Sequence, residues 1–161
     1  MFVSFAALPG TARIWIYQAS RPLTAAELAA VEPALTRFAN EWTSHGRSLL
    51  ASAAFLHQQF LIIGLDEVVA DASGCSIDTS VRFVKALEQQ LGVTLLEKSM
   101  LAFLHEGQVQ LLDRREVRTA IAEGRIRPET LYFDTTVAQA GQLQAAWPAP
   151  AASTWLSRYF R

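Results

Sequence analysis

From Ala12 to Gln18 apolar residues fall on both alternating faces (Ala-Arg-Ile-Trp-Ile-Tyr-Gln), the pattern of a strand covered on two sides. Arg21-Pro22-Leu23 turns into Thr24-Ala25-Ala26-Glu27, where Thr24 and Glu27 can satisfy each other's free backbone donors at a helix start. A helix to about Ser44 follows, with Leu28, Val31, Leu35, Phe38 and Trp42 as its inner stripe, a kink or split at Pro33, and His45-Gly46 as its end. Leu49 to Phe55 and Phe60 to Leu65 read as two strands joined by a polar turn at His57-Gln58-Gln59. A loop from Val68 to Cys75 leads into a helix from about Ser76 or Asp78 to Leu91, with Val81, Val84, Leu87 and Leu91 inward and Gly92 as terminator. Ser99 to His105 and Gln108 to Leu112 predict a hairpin turning at Glu106-Gly107. Asp113 then caps a helix to Glu123, stopped by Gly124, and Leu131-Tyr132-Phe133 is a short strand. A helix over Ala138 to Trp147 precedes the Pro148-Ala149-Pro150-Ala151-Ala152 stretch and an aromatic tail, Trp155 to Arg161.

The order strand, helix, strand, strand, helix, strand predicts an α+β fold with a ferredoxin-like split βαβ core over residues 12–105. A strand, helix, strand and helix are appended to it. Length predicts one domain over 1–161, in which 147–161 is a flexible linker plus the aromatic tail. A chain of 161 residues buries roughly 70% of its unfolded surface and folds without metal or disulfide. Apolar residues at 51% and charged residues at 18% place it far from disordered chains.

Fourteen Lys and Arg against fifteen Asp and Glu give a net charge of -1, so no overall field draws in nucleic acid or an anionic membrane. The single cysteine, Cys75, excludes an internal disulfide and suits a reducing compartment. The apolar start, Met1 to Gly10, lacks the basic flank of a signal peptide, and no run reaches the ~18 to 20 apolar residues of a membrane span. A cytoplasmic location is expected. There is no Gly-x-x-x-x-Gly-Lys-[Ser/Thr] and no Gly-x-Gly-x-x-Gly, so the usual machinery for nucleotides and dinucleotides is missing and no cofactor is expected.

The candidate chemistry centres on Gly74-Cys75-Ser76-Ile77-Asp78-Thr79-Ser80, where a loop enters a helix and free backbone N–H groups can bind an anion or activate a thiol. In the split βαβ arrangement the ends of the first helix and of the third and fourth strands meet this helix start. That brings Cys75 together with His45, His105, Asp66, Glu67 and Glu106, while His57 lies about 20 Å away at the other end of a strand. Cys75 with His45 or His105 as base would make a thiol nucleophile. Gly74, Ser76, Asp78, Ser80, Asp66 and Glu67 are the candidate binding residues of that edge. The competing structural reading makes Ser76 or Asp78 a helix cap, Gly74 a backbone requirement and Cys75 a buried small hydrophobe.

Asp78 stands where a serine-hydrolase elbow needs its second glycine, which sets that mechanism aside. His45, His57, Cys75 and His105 are too scattered for zinc, and the acidic residues fit no calcium loop, so no metal is expected. Trp15 and Tyr17 share a strand face that could stack on a base or ligand, but the two-sided apolar strand favours core packing, and Trp155, Tyr159 and Phe160 read as anchors folding back on the domain or docking on another chain.

Arg13-Ile14-Trp15-Ile16-Tyr17-Gln18, Gly74 to Ser80 followed by Val81-Arg82-Phe83, Leu131-Tyr132-Phe133 and Trp155 resemble a family of small bacterial proteins, found mainly in Bacteroidetes. Members often carry the label "ABC transporter ATPase". The residues do not support that label here: the phosphate loop and the Leu-Ser-Gly-Gly-Gln signature are both missing. The resemblance implies no substrate and no catalytic residue. The sequence therefore predicts a non-enzymatic cytosolic interaction or regulatory domain with a protein partner or self-association. The alternatives are a thiol-dependent enzyme or redox sensor using Cys75, and an anion or phosphometabolite pocket at the same helix start.

Overall fold

The computed structural model describes residues 1–68 and 70–161; Val69, inside the loop predicted over 68–75, lies outside the described residues. Where length predicts one domain, the contacts group into two compact units, 1–96 with 135–144, and 97–134 with 145–161. Each has its own sheet and its own apolar cluster.

In the first unit β1 (Arg13–Gln18) pairs antiparallel with β5 (Phe60–Asp66), which pairs antiparallel with β4 (Leu50–Leu56), giving the order β1-β5-β4. β5 is central and apolar on both faces, so Leu61, Ile62, Ile63 and Leu65 are all fully buried. Helix α1 (Ala25–Glu41) starts at the Thr24–Glu27 box, with both reciprocal hydrogen bonds formed. Of the kink or split expected at Pro33, the split does not occur: α1 runs through it, with Val31, Leu35 and Ala39 seated in the core on either side. The helix ends at Glu41, three residues before Ser44. Thr43–Ser44 (β2) and Arg47–Ser48 (β3) form a small hairpin turning at His45-Gly46, both with positive φ.

Helix α2 (Gly74–Leu91) begins earlier than its sequence suggests, because Ser73 and Ser76 form a reciprocal capping pair. Gly92 ends it in the left-handed conformation (φ 64°), as its position predicts. Val84, Leu87 and Leu91 join Val31, Leu35 and Leu61 in one core. The strand expected to complete a ferredoxin-like sheet, near 100–105, is not in this one. Residues 138–140 hold the outer edge of β1: Ile14 N–H donates to Ala138 O, and Ala140 N–H donates to Ala12 O, each at 2.9 Å. Beside them Gly141 N–H donates to Gly10 O, with the two backbones so close that a Cβ on Gly141 would lie 3.0 Å from Gly10 O.

In the second unit β6 (Met100–His105) pairs antiparallel with β7 (Gln108–Asp113) on one side and with β8 (Leu131–Tyr132) on the other, which fills both its edges. β9 (Ala149–Pro150) extends the sheet to the order β7-β6-β8-β9. The β6–β7 turn is Glu106-Gly107, both residues at positive φ, as the hairpin signal predicts. Asp113 caps a short 3-10 turn (Arg114–Glu116) that continues into α3 (Val117–Ala122). Helix α4 (Ala140–Ala145) is shorter than the predicted 138–147.

In 147–161, expected as a linker and aromatic tail, the backbone pairs with the second unit's own strands and turns. Ala151 N–H donates to Thr130 O and Ala152 N–H to Pro128 O, so the Pro/Ala stretch is pinned by its backbone. Trp155–Phe160 then forms a 3-10 helix that buries Leu156 fully against Leu101, Val117 and Tyr132.

Candidate functional site

The Gly74–Ser80 segment forms the first two turns of α2, and most of its polar groups are spent on the fold. Ser73 Oγ accepts from Ser76 N–H (3.1 Å), and Ser76 Oγ accepts from Ser73 N–H and donates to Ser73 O, both at 2.8 Å. Ser76 is buried, and its carbonyl also receives the indole N–H of Trp42 at 2.9 Å, tying the end of α1 to the start of α2. Ser80 is buried as well. Its hydroxyl donates to Ile77 O, and burial raises the pKa of the Tyr17 phenol against a lowering contribution from Ser80. Gly74 has no special backbone requirement, because an added Cβ would meet nothing within 4 Å.

Cys75 is exposed, so the buried-hydrophobe reading does not hold. Thr79 Oγ1 donates to the Cys75 carbonyl (2.9 Å), and Asp78 is exposed.

The remaining predicted site residues separate. Asp66 Oδ1 accepts from Val68 N–H at 3.0 Å, a local turn bond. Glu67 pairs with Arg13 at 3.5 Å, and the Arg13 guanidinium lies 4.6 Å from the centre of the Trp15 ring. His45 lines an open groove of about 580 Å³ with Arg47, Glu67 and Asp71, a mixed-charge surface that does not include Cys75. His105 belongs to the second unit, at the end of β6, with Glu106 Oε1 3.7 Å away. The first unit thus brings His45 and Glu67 to one groove but leaves Cys75 outside its lining. Among the described residues no three His, Cys, Asp or Glu side chains are grouped to hold a metal ion.

The second unit carries two features that the sequence reading missed. On one face the 3-10 helix presents Trp155 and Tyr159, half-buried, with ring centres 6.1 Å apart. Guanidinium carbons lie over them: Arg114 5.2 Å from Trp155, Arg158 5.2 Å from Trp155 and 4.9 Å from Tyr159, and Arg118 5.5 Å from Tyr159. Trp155 is fixed from behind, its indole N–H donating to Tyr132 Oη at 3.2 Å. Burial pushes the Tyr132 phenol up to about 12, while Arg158 donating to Tyr159 Oη holds that phenol below its usual value. None of Arg114, Arg118 or Arg158 has a carboxylate partner among the described residues, whereas the neighbouring Arg115 pairs with Asp113 at 2.8 Å. A partial signal existed: Arg114 and Arg118 stand at the start of the helix predicted after Asp113, and Arg158 stands between Trp155 and Tyr159 in the tail.

The second missed feature is a groove of about 510 Å³ floored by Phe103 and Ile126 and edged by His105, Gln110, Arg125 and Arg127. Its hint is the Arg125-Ile126-Arg127 alternation, which points an apolar residue inward between two basic ones.

No helix among the described residues is long and apolar enough to cross a membrane. A scan against protein-family models, a search of curated proteins and a search of solved structures each gave no match.

Proposed function

We propose that this chain is a non-enzymatic cytosolic binding module that docks an acidic segment of a partner protein on the Arg114/Arg118/Arg158 face of its second unit. The observation that carries the reading is three guanidiniums held over two rings with no carboxylate partner among the described residues. A guanidinium stacked on a ring loses little of its N–H fork and is already ordered, so a carboxylate can be gripped in two-point fashion at small entropic cost. Each stacking contact contributes about 0.5 to 1 kcal/mol at such exposed positions. Nucleic acid suits the face less well: both rings already carry two guanidiniums, which leaves little ring surface for a base to stack on. The first unit, whose β1, α1, β4, β5 and α2 follow the first five elements of a ferredoxin-like order, serves as scaffold in this account.

The test is fluorescence anisotropy with a labelled glutamate-rich peptide at low ionic strength. Binding should fall at least tenfold in R114Q/R118Q/R158Q and stay unchanged in R37Q/R82Q/K85Q, which removes the same charge elsewhere. Equal losses in both triple variants, or tighter binding of a labelled single-stranded oligonucleotide than of the peptide, would overturn the proposal.

A second reading rests on the exposure of Cys75 at the first turn of α2, which suits a thiol-dependent enzyme or redox sensor. It calls for a thiolate at neutral pH. An iodoacetamide rate that rises with an apparent pKa at or above the ordinary ~8.5 would remove it. The anion-pocket reading of the same helix start is weakened by Ser73, whose hydroxyl already takes the Ser76 N–H.

A further inference from the structure

The groove under β6 and β7 differs from two other grooves among the described residues in the sign of its rim. The His45 groove mixes Arg47 with Glu67 and Asp71, and the one along α1 mixes Arg37 with Glu32 and Glu41. The lining of the second-unit groove contains Arg125, Arg127 and His105 and no acidic residue. Its floor is equally one-sided: Phe103 and Ile126 are 5% and 6% exposed, and Leu111 and Leu112 line it beside them.

The rim is built into the fold. Arg127 N–H donates to Thr130 Oγ1 at 2.8 Å, and its Nε lies 3.4 Å from Gly124 O, which fixes the base of the side chain and leaves the terminal nitrogens without a partner among the described residues. Arg125 engages Glu123 through Nε alone, at 2.8 Å. Gln110 adds an amide on the opposite strand. A volume of about 510 Å³ lies in the range of small-ligand sites, where apolar walls bind the body and a few polar groups choose the head.

From the apolar floor beneath a rim that carries two arginines and no acidic lining residue, we propose that this groove binds an amphipathic monocarboxylate, an aryl or medium-chain alkyl acid. Its body lies on Phe103 and Ile126 and its carboxylate meets Arg127 and Arg125. The site is separate from the Trp155 face and does not depend on the acidic-segment reading. Carboxylate against guanidinium supplies the directional part of binding and the apolar floor the rest, so neither half suffices alone.

The test is isothermal titration calorimetry on the full chain with decanoate, decanol and acetate. Decanoate should bind at least tenfold more tightly than either of the others. R125Q/R127Q should lose about tenfold or more for decanoate while keeping the wild-type circular dichroism spectrum and melting temperature, and R114Q/R118Q/R158Q should bind decanoate as the wild type does. Decanol binding as tightly as decanoate would reduce the groove to an apolar surface and overturn the proposal. So would undetectable decanoate binding, or an R125Q/R127Q variant with unchanged affinity.

Discussion

Leu156→Ala tests whether the aromatic tail is part of the folded second unit. Leu156 is fully buried in the apolar cluster that also holds Leu101, Val117 and Tyr132. The substitution removes three carbons, a transfer loss of roughly 2.4 kcal/mol, and the cavity left behind raises the cost to about 3 kcal/mol. A cooperative unfolding entropy of roughly 0.34 kcal/mol/K for a 161-residue chain turns this into a fall in Tm of about 9 °C. If the second unit melts by itself the fall is larger, because fewer residues share the entropy. Differential scanning calorimetry gives the shift. The same variant should loosen Trp155 from Tyr132 and red-shift its emission. A Tm within 2 °C of wild type would mean that Leu156 is not held in a core, and the arginine face would lose its platform.

Gly141→Ala would place a Cβ 3.0 Å from Gly10 O and 3.1 Å from Gly10 Cα, backbone against backbone, and should cost about 1 to 3 kcal/mol in urea melts. Gly74→Ala meets no atom within 4 Å and should be neutral or up to about 1 kcal/mol stabilising; equal costs at the two positions would refute the packing described for Gly141. The Arg21 guanidinium, with Thr24 N–H, holds Glu27 down to about 2. Since this folded-state pKa is depressed, its stabilisation is present above the unfolded value near ~4.3 and is lost as pH falls toward 2, so Glu27→Gln should narrow its stability gap to wild type across that interval. A gap constant from pH 5 to pH 2 would contradict the pairing. Native Cys75 should react fully with dithiodipyridine without denaturant, and Cys75→Ser should change stability by less than about 0.5 kcal/mol; a thiol that reacts only in urea would contradict its exposure.

Local chemistry was legible in the sequence wherever one residue type has one dominant use. Thr24 and Glu27 announce a helix start, Gly92 and Gly124 announce helix ends, and Glu106-Gly107 announces a hairpin, and all four take those roles. The Ser73–Ser76 pair does the same work as a Thr–Glu box but lacks its acidic signature, which is why α2 reads as starting later. Pairing was less legible. Periodicity identifies 100–105 as a strand but says nothing about its partners, and the edge of β1 expected to receive it is bonded to 138–140, a segment more than 100 residues from β1 in sequence. With that pairing changed, His105 and Cys75 belong to different units, so no shared sheet edge brings them together. The tail misled through composition. Pro and Ala at 148–152 suggest a linker, yet Pro150 sits on an edge strand, where its missing N–H costs nothing.

The most direct measurement of the account is the affinity of the glutamate-rich peptide for Arg158→Gln beside Arg115→Gln. Both remove one exposed positive charge from the same unit, but Arg158 spans the two rings without a carboxylate partner among the described residues, whereas Arg115 is already paired with Asp113. The account predicts a loss of about tenfold for Arg158→Gln, the worth of one charge-assisted contact, and less than about twofold for Arg115→Gln. Equal losses in the two variants would show that the peptide responds to diffuse charge and that the stacked arginines form no docking face.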